Sequence, residues 1–181
     1  MTQSSPAGGP CNPELLAVYC NDHLAASVGG IELVKRMLGE HRATDYEGPL
    51  TQLLGELREE NSSLETQIRA LGLPVRRYKQ AALWLGEKLS RAKLNGRLLH
   101  RSPLSDLVEF EFLASAVRGK RSGFETLRIV AEIDPRIDKV LLDGLIEQAN
   151  RQYHWLTEVR REVAAELFGG DPGVLDGTDE A

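Results

Sequence analysis

Aromatic residues are scarce in this chain: Phe, Trp and Tyr together make up 6% of its 181 residues. Sheets draw heavily on aromatic and β-branched side chains, so this scarcity argues against an all-β protein. Long apolar runs are also missing. None approaches the roughly 20 residues that a bilayer-spanning helix needs. Only two cysteines occur, Cys11 and Cys20, without CxxC spacing. That excludes a thiolate zinc motif and a disulfide framework, and the expected state is two free thiols in a reducing cytoplasm. Positive charge is not in excess, since the net charge is −5. The balance gives no global attraction to nucleic acid or to an anionic membrane. The sequence also contains no Gly-x-Ser-x-Gly, no phosphate loop, no dinucleotide fingerprint and no His-Glu-x-x-His.

What the chain has is helical periodicity. Residues 1–11 are rich in Ser, Pro and Gly and read as a disordered tail rather than a secretory signal. Residues 169–181 read as a second, acidic tail, which leaves 12–168 as a single bundle domain. Asn12 and Pro13 form an N-cap and first position for a helix running to about His41. Its inward stripe includes Leu16, Cys20, His23, Leu24, Gly30, Ile31, Val34 and Met37, at spacings of three and four. A second helix begins between Asp45 and Pro49 and ends at Leu71, where Gly72-Leu73-Pro74 is a stop signal. A third is expected over 74–99. Ser102-Pro103 opens a short helix to about 118, Gly119 to Gly123 breaks the pattern, and another short helix covers 124–132. Asp134-Pro135 is read as the cap of a last long helix ending near Phe168. The expected fold is therefore all-α: an up-down-up-down four-helix bundle, with two short helices inserted before the last long one.

The stretches YCNDHLAASVGGIELVKRM and WLGEKLSRAKLNGRLLHRSPLSDLVEFEFL resemble uncharacterised bacterial proteins of ferritin-like bundle type. The resemblance covers about 13–168 and implies a fold related to ferritins and rubrerythrins, whose cores hold two metal ions. Such proteins carry Glu-x-x-His on two of their helices, because positions i and i+3 share a face. Here the residues three before His23, His41, His100 and His154 are Cys20, Leu38, Arg97 and Arg151. The resemblance thus brings the fold without the di-iron motif.

Polar residues inside apolar stripes are the candidates for chemistry. His23, Glu60, Glu87 and Glu111 could together form a carboxylate–histidine metal site for Fe, Mn or Zn. They equally fit a set of paired core polar groups, with Lys79, Lys88 and Arg91 as possible partners. Asn61 and Gln152 interrupt apolar stripes as well. His154 lies on a polar face and reads as solvated, and Glu32 with Arg36 reads as an ordinary i,i+4 pair. The basic run from Arg76 to Arg101 reads as charge complementarity with the acidic second helix rather than as a nucleic-acid surface. The preferred reading is a non-catalytic bundle that binds a protein partner or itself. The alternative is a metal-binding oxidoreductase or storage relative with a non-standard ligand set.

Overall fold

In a computed structural model the described residues are 12–76 and 104–171. They form four long helices and, among themselves, no strand: α1 (Pro13–Glu40), α2 (Glu47–Ala70), α3 (Leu104–Val130) and α4 (Lys139–Phe168). None is long and apolar enough to cross a membrane. The expected helix over 74–99, Ser102-Pro103 and both tails beyond these limits lie outside the described residues, except that 74–76 are non-helical.

Local chemistry sets the boundaries. The Asn12 side chain accepts hydrogen bonds from the backbone N–H groups of Glu14 and Leu15, at 3.0 and 3.2 Å. Such a cap contributes about 1 kcal/mol. Gly72 and Gly169 sit at φ +71° and +70°, the left-handed conformation that ends a helix readily only at glycine. The last helix starts later than the sequence suggested. Asp138, rather than Asp134, caps it by accepting from Leu141 N–H at 3.0 Å. Asp134 instead pairs with Arg136 within the preceding turn, through two side-chain hydrogen bonds of 2.9 and 2.6 Å.

The two short inserted helices are a further correction. Residues 104–130 form one unbroken helix of 27 residues that passes straight through Gly119 and Gly123. A helical glycine costs about 1 kcal/mol against alanine, and packing along the rest of a long helix outweighs that.

The core has two parts, one at each end. Leu16, Leu24, Ile68, Phe124, Leu127 and Leu142 meet at one end. Val34, Met37, Leu50, Phe110, Leu113 and Leu156 meet at the other. The helix directions follow: α1 and α4 run one way, α2 and α3 the other. The last helix is therefore parallel to the first, not antiparallel as an inserted helical hairpin would require. Packing joins α1 to α2, α3 to α4, and α1 to α3. Asn21 of α1 is fully buried and satisfied. Its amide donates to Ala17 O at 2.7 Å and Pro74 O at 2.9 Å, and its carbonyl accepts from Arg76 N–H at 2.6 Å. The segment that leaves α2 is thereby fixed to α1.

Candidate functional site: a buried ion pair and an interhelical cavity

The inward stripe of α3 reads Phe110, Leu113, Val117, Lys120, Phe124 and Leu127, at helical spacing. That phase turns the Lys120 ammonium toward the interior. Its Nζ donates to Glu60 Oε2 of α2 and to Gln152 Oε1 of α4, both at 2.5 Å. The Gln152 amide in turn donates to Glu60 Oε1 at 2.9 Å and Glu56 Oε2 at 2.7 Å. Three helices are cross-linked by this one network. Glu60 is 2% exposed and the Lys120 side chain 14%. Burial pushes the Glu60 carboxyl above its ordinary value while Lys120 pulls it down. Burial likewise lowers the Lys120 pKa, opposed by Glu60. Each charge is tolerated in the interior because the other is there.

Beside this network lies a cavity of about 240 Å³ between α1, α2 and α3. Tyr19, Cys20, His23, Ser27 and Gly30 of α1 line it, with Leu57, Glu60, Asn61 and Leu64 of α2 and Ala116, Lys120, Gly123 and Phe124 of α3. Ala26 and Gly119, also on its wall, are exposed and mark its rim. Asn61 donates to the Ser27 hydroxyl at 2.5 Å. The His23 ring lies 4.6 Å from the Tyr19 ring, centroid to centroid. Burial depresses its pKa below the usual histidine value, against the pull of Asp22, and so favours the uncharged imidazole. A Cβ placed on Gly123 would stand 2.7 Å from His23 Cε1 and Nδ1. Glycine at 123 is what admits the imidazole against α3.

Of the four metal candidates, His23 and Glu60 line this same cavity. Glu111 is exposed on α3, with its Oε1 3.9 Å from Arg160. Glu87 lies outside the described residues, as do Lys79, Lys88 and Arg91. Among the described residues, no group of three or more His, Cys, Asp or Glu side chains is placed to hold a metal ion. Lys120, absent from the candidates, is the partner of Glu60. The reading of Gly119 to Gly123 as a break hid it, because its inward phase appears only when the α3 stripe is continued through the glycines. Glu32 pairs with Lys35 at 2.5 Å, while Arg36 reaches across to the buried Glu109 of α3 at 2.9 Å. His154 is exposed, with Glu158 3.1 Å away. No protein-family model, curated protein or solved structure matches this chain.

Proposed function

We propose that this protein is a non-catalytic, ferritin-like helical bundle that acts by protein association, in the first place with a second copy of itself. One observation carries the reading. Five large aliphatic side chains are exposed at the same end of the bundle: Leu15, Val18, Ile129, Ile133 and Val140, with Val140 81% exposed. Exposed apolar residues that adjoin one another favour burial against a partner, and Ile129, Ile133 and Val140 all border the turn from α3 to α4. Among them run Arg128, Glu132, Lys139 and Asp143, joined by ion pairs. Two charges of each sign suit an interface that a second copy can complement. The test is sedimentation equilibrium of the wild type and of the triple variant Ile129→Asp, Ile133→Asp, Val140→Asp. The wild type should associate as its concentration rises, and the variant should stay monomeric with unchanged helical circular dichroism. A wild type that remains monomeric over a wide concentration range would sink the proposal.

The metal-binding alternative has one observation in its favour, that His23 and Glu60 share a cavity. Against it, both Glu60 oxygens already accept hydrogen bonds. Elemental analysis of protein purified without chelator separates the two readings. Stoichiometric iron or manganese that disappears in His23→Ala would promote the alternative.

A further inference from the structure

We propose that the cavity between α1, α2 and α3 is a binding site for a small, uncharged, mainly apolar molecule bearing one hydrogen-bonding group, such as an alcohol or a phenol. Its size is adequate. Apolar cavities of about 150 Å³ in protein cores hold benzene, and this one measures about 240 Å³.

Its sequence keeps it open. Gly30 is buried in the middle of α1, where glycine costs about 1 kcal/mol relative to alanine. Among the described residues, outside its own helix backbone and chain neighbours, no heavy atom lies within 4 Å of a Cβ built there. A side chain would fit and would favour the helix, so packing and helix propensity both argue for a residue other than the one present. On the α3 wall, Ala116 and Gly119 are small as well. Each of these two walls thus carries small residues, and the space between the helices is retained.

The polar groups select the ligand. Lys120 and Glu60 are engaged with each other and with Gln152. A charged headgroup would therefore enter an apolar space without a free counter-ion, which is costly. The His23 ring borders the cavity and stands outside the Lys120–Glu60–Gln152 network. A neutral imidazole offers one donor and one acceptor, which suits a single hydroxyl.

The experiment uses the full chain and thermal denaturation with four probes: hexanol and para-ethylphenol, and, as charged counterparts of the first, hexanoate and hexylamine. Hexanol and ethylphenol should raise Tm in a saturable way, and the two charged probes should not. Gly30→Leu fills the cavity and should lose the hexanol response, while its own Tm stays at or above that of the wild type. Ala116→Leu fills the same space from α3 and serves if Gly30→Leu does not fold. No hexanol response in the wild type, or an undiminished response in a folded filled variant, would overturn the site. A hexanoate or hexylamine response equal to that of hexanol would overturn the ligand class. Neither readout depends on self-association, since the triple aspartate variant can be titrated with the same probes.

Discussion

The two ends of the bundle are built from the same four helices and filled in different ways. At one end Phe110 is fully buried, and its ring meets those of His41, Tyr46 and Trp155 at centroid separations of 5.8, 5.5 and 6.3 Å. Rings of that size close the wide spaces between long helices and add edge-to-face attraction to their buried area. At the other end Phe124 is the one aromatic side chain among the buried core residues described. Between the two ends lies a cavity, walled by Phe124 and Leu127 of one core and Leu57, Leu113 and Val117 of the other, and also lined by the small residues Ser27 and Gly30 of α1 and Ala116 and Gly119 of α3. Large against small gives close packing, whereas small against small leaves a gap unless the backbones approach. Here two side chains stand in the way of approach: the His23 imidazole seated on Gly123, and Lys120 reaching from α3 to α2 and α4. The comparison shows that helix geometry alone does not set how closely a bundle packs. The sizes of facing side chains do, and in this chain they differ along the bundle.

The sharpest way to break this contrast is to remove the charge that crosses the bundle beside the cavity. Lys120→Met leaves the Glu60 carboxylate buried without its counter-ion. The expected loss is about 3–5 kcal/mol, the usual cost of orphaning one member of a buried pair. Urea denaturation followed by circular dichroism would measure it. The double variant Lys120→Met, Glu60→Leu should recover most of that loss, because an apolar pair of similar volume removes both desolvation costs together. If the single variant denatures at the wild-type urea concentration, the network does not hold α2, α3 and α4 together, and the cavity owes its shape to something else.

Much of this arrangement was legible in the sequence, and the misses at Lys120 and Arg36 share one cause. The apolar stripes of α1 and α2, the Asn12 cap and the Gly72 and Gly169 stops all follow from local rules that tertiary contacts reinforce. Glu60 and Gln152 stood out as polar residues inside apolar stripes, and both are buried in one network. Lys120 did not stand out, because the two glycines flanking it were read as turn residues. A glycine pair in a polar stretch has two physical meanings, a place where the chain turns or a place where something packs close to the backbone. Only the partner distinguishes them. The partner of Gly123 is His23, one hundred residues earlier, a distance over which sequence periodicity carries no information. Likewise, Arg36 matched a local pair with Glu32 at i,i+4, but the buried Glu109 of α3 takes it instead. The less exposed carboxylate, with less competition from water, holds the guanidinium more strongly.

The smallest expected effect tests that last distinction, whether Gly123 turns the chain or admits a side chain. Gly123→Ala has two opposed consequences. Alanine favours the helix by about 1 kcal/mol over glycine. Its methyl group would also stand 2.7 Å from two atoms of the His23 ring, closer than carbon atoms approach without displacement. Overpacking of this kind costs about 1–3 kcal/mol, so the single variant should be destabilised by up to about 2 kcal/mol once the helix gain is deducted. In a His23→Ala background the obstacle is gone. The same Gly123→Ala substitution should then stabilise the protein by something near the full propensity difference. The readout is a double-mutant cycle in urea, and its expected signature is a change of sign rather than of size. A chain turn at Gly123 would give the same cost with or without His23, since backbone strain does not depend on a side chain of another helix. Additive effects would show that the imidazole does not rest on Gly123, and with them would go the account of how α1 and α3 are held apart around the cavity.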